Sequence, residues 1–145
     1  MDCPHCKAQN TQVKNSRETK SGSEIWRRRT CTKCRKTFST YESVALFYLV
    51  VEKRSGKRTR YLSYKLFASI YDAIAGGKHA DRGDAAIRAH EVVSIIEGNI
   101  IRSQKEVIKT SSLIDLVTDE LEKTDLGACY RYAAFSPHRG MKFGI

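Results

Sequence analysis

Four cysteines near the start of the chain have the spacing that most clearly predicts chemistry. They form two Cys-x-x-Cys pairs, Cys3 with Cys6 and Cys31 with Cys34, separated by residues 7–30. Two residues inside a pair let both sulfurs reach one ion, and four thiolates suit a tetrahedral zinc ion. Redox-active pairs or disulfides are the alternative, which a single pair would leave open. We therefore predict that Cys3, Cys6, Cys31 and Cys34 bind one structural Zn²⁺.

Cations are concentrated between these cysteine pairs. Residues 11–17 and 24–30 have the composition of two short strands joined by a turn at residues 20–23. Because side chains alternate along a strand, Arg27 and Arg29 share one face, whereas Trp26 and Arg28 share the other. A thin ribbon of this kind can contact the phosphate backbone of DNA, and a solvated basic strand is the alternative. Trp26 either stacks on a base or sugar or packs within the ribbon.

Charge and length indicate the kind of partner and the kind of protein. The net charge is +10, with ten Lys or Arg against four Asp or Glu in residues 1–42 and sixteen against twelve in residues 43–145. This surplus indicates a polyanionic partner, most simply nucleic acid, although it can also serve only solubility. A segment of about forty residues needs a metal to fold. Without an apolar run of about 18 residues or a leader pattern, we expect a soluble, cytoplasmic protein with no membrane partner.

The remaining sequence predicts a hairpin followed by helices. Residues 49–62 form the hairpin, with its turn at Ser55 and Gly56 and a dense group of cations around it. These cations suggest a second polyanion patch, a clamp on a nucleotide triphosphate, or solvated surface. Four helices follow, and the first three carry stripes of apolar residues at helical spacing that we expect to form the core. Ser63 is expected to cap the first, the second begins near residue 84, Thr110 or Ser111 caps the third, and the fourth covers residues 125–135 and ends at Pro137.

No catalytic arrangement is evident in the sequence. The histidines lack a neighbouring nucleophile pattern, and neither a GxxxxGK[ST] nor a GxGxxG motif is present. A zinc-dependent nucleotide hydrolase is disfavoured because a site with four cysteine ligands leaves no open position for water. Cys129 lies in an apolar stretch and is expected to be a small buried side chain. We therefore expect a protein that is not an enzyme.

Several ordered motifs resemble those of one family. The chain is similar over nearly its whole length to the NrdR transcriptional repressors of bacterial ribonucleotide reductase genes, which join a zinc ribbon to an ATP-cone. The motifs that carry this resemblance are CPHC at 3–6, NSR at 15–17, RRRTCTKC at 27–34, FSTYE at 38–42, VEKRSGKR at 51–58 and YRYAAF at 130–135. One departure is Trp26, which stands where the family often continues its arginine run.

The resemblance implies an α+β protein in two parts. The implied zinc ribbon of antiparallel strands covers residues 1–42, a junction covers 43–49, an ATP-cone with a β-hairpin lid on a four-helix bundle covers 50–136, and a short tail covers 137–145. It implies a homo-oligomer whose state depends on ATP and dATP, with Mg²⁺ as a candidate accompanying ion, and a ribbon that binds paired operator boxes in double-stranded DNA. The implied DNA contacts are Arg17, Arg27, Arg28 and Arg29, to which we add Trp26, and the implied nucleotide contacts are Val51, Lys53, Arg54 and Lys65.

One functional alternative belongs to another class. A nucleotide-binding adaptor could bind ribonucleotide reductase itself through the cone and act by protein contact instead of DNA binding. Such an adaptor would not need the cationic strand at Arg27–Arg29, and its affinity for DNA would not fall steeply with salt.

Overall fold

The computed structural model describes residues 1–135, which divide into a first compact unit, Met1–Val44, and a second that begins at Ala45. The predicted end of the last helix at Pro137 and the predicted tail, residues 137–145, lie outside the described residues. Within residues 1–135, no helix combines the length and the apolar character that a membrane span requires.

The first unit is a three-stranded antiparallel sheet. Its strands β1 (Thr11–Glu18), β2 (Glu24–Cys31) and β3 (Thr37–Ser43) lie side by side in sequence order. The two strands predicted from the sequence are present, and β3 was not predicted. A β-bulge interrupts the β1–β2 ladder, because Val13 pairs with Arg29 and Asn15 with Arg28, leaving Lys14 as the extra residue.

This ribbon has almost no apolar core. Among residues 1–44 the only buried residues are Cys3, Ser23 and Cys31. We call each Cys-x-x-Cys turn a knuckle: residues 3–6 form the first and residues 31–34 the second. Directly after each knuckle the backbone is left-handed, at Lys7 and at Arg35, each with φ of 61°. A unit that buries so little apolar surface does not by itself offset the conformational entropy of about forty ordered residues. Units of this kind depend on a cross-link such as a bound metal.

The second unit combines a small mixed sheet with four helices. A short 3₁₀ helix (Leu46–Tyr48) precedes β4 (Val50–Glu52) and β5 (Arg58–Arg60), which form the predicted hairpin, and β6 (Val107–Lys109) pairs in parallel with β4. The helices are α1 (Ser63–Ala75), α2 (Arg82–Ser103), α3 (Thr110–Thr124) and α4 (Leu126–Phe135). These elements and the antiparallel ribbon confirm the predicted α+β class. The parallel strand β6 was not predicted.

Two predicted helix caps are wrong. Helix α1 already includes Ser63, with Leu62 at its N-cap, and α3 already includes Thr110 and Ser111, with Lys109 at its N-cap. Neither cap residue accepts a side-chain hydrogen bond from its helix. In both cases an extended segment continues to the residue before the hydroxyl, so the hydroxyl residue falls inside the first turn.

The helical stripes predicted from the sequence form one hydrophobic core. Ile70 of α1, Ile96 of α2 and Leu121 of α3 are fully buried, and Leu49 before β4 packs into the same cluster. The hydroxyl of Tyr61 donates a hydrogen bond of 2.9 Å to Glu97 of α2. The second unit therefore has the contiguous hydrophobic core that the first unit lacks.

One carboxylate ties α2 to the start of α4. One carboxylate oxygen of Asp125 accepts a hydrogen bond of 2.9 Å from the guanidinium of Arg88. The other oxygen accepts a hydrogen bond of 2.8 Å from the N–H of Ala128 in the first turn of α4. Burial by itself would raise the pKa of Asp125, but these two partners outweigh it and lower the pKa below its usual value. The ionised carboxylate therefore stabilises the folded unit.

Candidate metal centre, DNA-binding face and anion cavity

The four predicted ligand cysteines meet at the end of the ribbon. Their sulfurs all lie within 4.8 Å of one another. The Cys3 and Cys34 sulfurs are 3.7 Å apart and those of Cys6 and Cys31 are 3.6 Å apart. A tetrahedral zinc ion with Zn–S bonds of about 2.3 Å requires sulfurs about 3.8 Å apart, so these residues fit that ion. The four cysteines are thus positioned to bind a metal.

The acidities of these thiols also favour a cation. The backbone N–H of Cys34 donates to the Cys31 sulfur at 3.5 Å and lowers the pKa of that thiol to about 6. At Cys34 the N–H of Lys36 acts in the same direction, but burial and the neighbouring sulfurs outweigh it and raise the pKa to about 11. One sulfur therefore ionises readily and another resists, because like charges repel at this distance. A divalent cation removes that repulsion and allows all four to be thiolates.

The bulge at Lys14 decides which cations share a face of the ribbon. It shifts the register by one residue, so that Arg17 lies opposite Trp26 and Asn15 opposite Arg28. The Arg17 guanidinium carbon lies 4.7 Å from the centre of a Trp26 ring, a cation–π contact. Arg28 is exposed and donates 2.9 Å to the Thr37 hydroxyl. Arg17, Trp26 and Arg28 thus form one face, which we call the Trp26 face.

The arginines of the opposite face are engaged within the ribbon. Arg27 forms an ion pair of 2.9 Å with Glu42. Arg29 donates from Nε to the Thr40 hydroxyl at 3.2 Å and from a terminal nitrogen to the Thr11 hydroxyl at 3.5 Å. The alternation of faces predicted from the sequence is therefore present, but the two pairs of arginines have different partners. The guanidinium groups of Arg27 and Arg29 help to hold the three strands together.

The second unit contains an open cavity of about 450 Å³ beside the hairpin turn. A volume of this size suits a nucleotide-sized ligand. Three of its lining residues are cations, two carry hydroxyls, and the acidic one, Glu52, is paired at 3.0 Å with Arg58. The lining residues are Glu52, Lys53, Arg54, Lys109, Thr110 and Ser111. The cavity therefore presents an excess of positive charge to an anion.

Two chain segments meet at this cavity because β4 and β6 are parallel. Glu52 pairs with Lys109 at the carboxyl ends of the two strands, and the Thr110 hydroxyl donates 3.2 Å to the Glu52 carbonyl. Helix α3 begins at Thr110 without a side-chain cap and without an acidic residue in its first turn. Its first N–H groups lack helical partners and carry the positive end of the helix dipole. This helix start can accept a phosphate group.

The cavity includes only some of the residues that were predicted to contact a nucleotide. Lys53 and Arg54 line it, whereas Val51 lies in β4 packed against the core and Lys65 is exposed in the first turn of α1. Lys109, Thr110 and Ser111 were missed. Their sequence signal is two adjacent apolar residues, Val107 and Ile108, followed by Lys109 and three hydroxyl residues. The hydroxyl residues predict a helix start and not a ligand contact.

Comparisons with known proteins agree with this arrangement. The family model described as "Transcriptional repressor NrdR-like, N-terminal domain" matches residues 1–42, and the ATP cone domain model matches residues 49–135. The chain is similar to the proteins named Transcriptional repressor NrdR of Burkholderia mallei (strain SAVP1) and Burkholderia pseudomallei (strain K96243). Each is 36% identical over 134 residues, which cover 92% of this chain and 81% of the relative.

The resemblance seen in the motifs is thereby confirmed over both units. The four clustered cysteines lie in the segment matched by the NrdR-like model, and the cationic cavity lies in the segment matched by the ATP cone model. The chain belongs to the NrdR family of transcriptional repressors, regulatory proteins that are not enzymes and that join a zinc ribbon to an ATP-cone.

Proposed function

We propose that this protein is a zinc-dependent repressor that binds operator DNA of ribonucleotide reductase operons and is controlled by ATP and dATP. The observation that carries this proposal is the presence of two cationic surfaces, one in each of two separately packed units. A DNA-binding module alone would not need the cavity beside Lys53 and Arg54, and a nucleotide-binding adaptor would not need a cationic ribbon held by a metal.

DNA binding would use the cationic ribbon. We propose contacts from Arg17, Trp26, Arg27, Arg28 and Arg29, with a Zn²⁺ on the four cysteines keeping the strands in place. Arg17 and Arg28 would contribute most to phosphate binding. Both are exposed, and the hydrogen bond that Arg28 donates goes to a neutral hydroxyl. In contrast, the charge of Arg27 is paired with Glu42, and Arg29 donates to hydroxyls on both neighbouring strands. The Trp26 ring, covered on one side by Arg17, would remain available at its edge for contact with a sugar or base.

Nucleotide binding would use the cavity of the second unit. Lys53 and Arg54 would face the triphosphate from the hairpin turn, and the start of α3 at Thr110 would bind it from the other side. Val51 and Lys65 would contact other parts of the ligand, and Mg²⁺ would accompany the phosphates. A single hydrogen bond to the 2′-hydroxyl, worth about 1 kcal/mol and more if left unpaired, would separate ATP from dATP.

Regulation would follow from a population shift between homo-oligomers. ATP and dATP would favour different packings of the cones, and only some packings would present two ribbons at the spacing of paired operator boxes. This arrangement corresponds to a cytoplasmic protein that associates with the nucleoid when bound to DNA.

Two measurements test the proposal together. The mass of the native protein should differ between samples with ATP, with dATP and with neither, and the affinity for operator DNA should change in parallel. The logarithm of the DNA affinity should also fall steeply with the logarithm of the salt concentration, because phosphate contacts release counterions. A flat salt response with intact nucleotide binding would favour the adaptor function instead.

A further inference from the structure

A second, smaller cavity lies in the first unit and is separate from the DNA contacts proposed above. Its volume is about 210 Å³, below the ~300–1,000 Å³ of pockets that take whole small molecules. It therefore suits a single chemical group. The residues that line it are two cations, three neutral polar residues and one cysteine: Gln12, Lys14, Thr30, Cys31, Thr32 and Arg35. None of them is Asp or Glu, and the one ionisable thiol, that of Cys31, belongs to the cysteine cluster positioned to bind a metal. The two cations therefore make the cavity suitable for an anion.

Both cations come from irregular backbone that the ribbon holds in place. Lys14 is the extra residue of the β1 bulge, and such bulges redirect a side chain out of the regular alternation. Arg35 has a left-handed φ of 61° and its N–H donates 3.1 Å to the Cys31 carbonyl, which fixes it at the end of the second knuckle. For a residue other than glycine this conformation is uncommon, and it directs Arg35 to the cavity where Lys14 also lies.

The cavity also lies in line with the Trp26 face. Gln12 pairs with Thr30, and Asn15 pairs with Arg28. Because Arg28 and Thr30 are two residues apart on β2, both pairs lie on the same face of the ribbon. That separation is about 7 Å of extended strand, so an anion in the cavity and one bound by Arg28 would be neighbouring groups on the same surface. A DNA backbone supplies such a series of separate phosphates.

We propose that this cavity binds one phosphate of the DNA duplex, through Lys14 and Arg35 with Gln12 and the threonine hydroxyls as neutral donors. The inference rests on the proposed DNA binding and adds to it a phosphate contact beyond the arginine strand. Cys31 lines the same cavity, and four thiolates around a divalent ion carry a net negative charge. Lys14 and Arg35 could therefore serve the metal instead, and the experiment must separate the two roles.

The chain offers a closely matched control. Lys7 follows the first cysteine pair as Arg35 follows the second, with the same φ of 61°, and it does not line this cavity. The test compares the Lys14→Gln/Arg35→Gln variant with Lys7→Gln/Lys20→Gln, in which the same number of cations is removed from the ribbon. Binding of the full-length, zinc-loaded protein to a fluorescein-labelled 30-base-pair duplex of mixed sequence is followed by anisotropy at several salt concentrations, with zinc content measured in parallel.

The cavity variant should lose about 0.9 from the salt slope of binding, the value of one phosphate contact, and keep its zinc. The control variant should lose clearly less of the salt slope, and the conservative Lys14→Arg variant, which keeps the charge, should retain the wild-type slope. Equal losses in the two double variants would overturn the phosphate site, and zinc loss confined to the cavity variant would show that its cations serve the metal. A flat slope in the wild type would instead refute the proposed DNA binding itself.

Discussion

Replacing Cys31 by serine should unfold the first unit and leave the second folded. The structure supplies the reason, because only Cys3, Ser23 and Cys31 are buried among residues 1–44, and two of these are cysteines of the cluster positioned to bind a metal. Ordering a residue costs about 1–2 kcal/mol of conformational entropy, and this unit has no buried aliphatic or aromatic side chains to offset it. Structural zinc contributes about 10–16 kcal/mol in small zinc-binding peptides, as much as the whole stability of a typical domain.

The chain provides separate signals for its two units. Trp26 is the only tryptophan and lies in the ribbon, so its fluorescence reports on the first unit, whereas far-ultraviolet circular dichroism reports mainly on the helices of the second. Cys31→Ser should lose zinc and shift the Trp26 emission to the red, as should chelation of the wild type, with the helical signal and its thermal transition retained.

The matched control is Cys129→Ala, which changes a buried cysteine outside the metal cluster. It should keep zinc and the native Trp26 emission, and lower the stability of the helical unit by about 1 kcal/mol. If Cys31→Ser without bound metal kept the native Trp26 emission, the inference that a metal holds the ribbon would be wrong. If both signals were lost in one transition, the two units would not fold independently.

Three further predictions follow from the charged groups. Arg28→Gln should reduce the salt slope of DNA binding by about 0.9, and Arg27→Gln should reduce it by less because the charge of Arg27 is already paired with Glu42. Equal reductions would contradict the division into two faces. Lys53→Ala should weaken ATP binding by about 10–150-fold in calorimetry, from the loss of ~1.5–3 kcal/mol, with zinc unchanged and Lys57→Ala as the control; unaltered affinity would refute our position for the phosphates. Asp125→Ala should destabilise the helical unit by about 1 kcal/mol at neutral pH. Because the pKa of Asp125 is lowered in the folded state, its contribution to stability is present above the usual carboxyl pKa and is lost as the pH falls through the lowered value. The difference in unfolding free energy between wild type and variant should therefore vanish in acid. A difference that stayed constant with pH would assign the effect to packing.

The sequence alone determined the features that depend on local spacing. The two cysteine pairs predicted a common metal site because the ligand geometry of a knuckle is set by two intervening residues. The helical stripes predicted the core, and alternation along residues 24–30 predicted that Arg27 and Arg28 point to opposite faces. Apart from the joining of the two cysteine pairs at one ion, each of these signals is contained within a single turn, strand or helix.

Only the tertiary structure decided which of these features meet. Strand β6 has only three residues, and it pairs with β4 across a separation of 57 positions, from Val50 to Val107. No local pattern therefore indicated that Lys109 and Thr110 would join Lys53 at one cavity. Likewise, the sequence does not reveal the bulge at Lys14, which brings Arg17 opposite Trp26. Register depends on the whole ladder of backbone hydrogen bonds between strands, and a shift of one residue moves every following side chain to the other face.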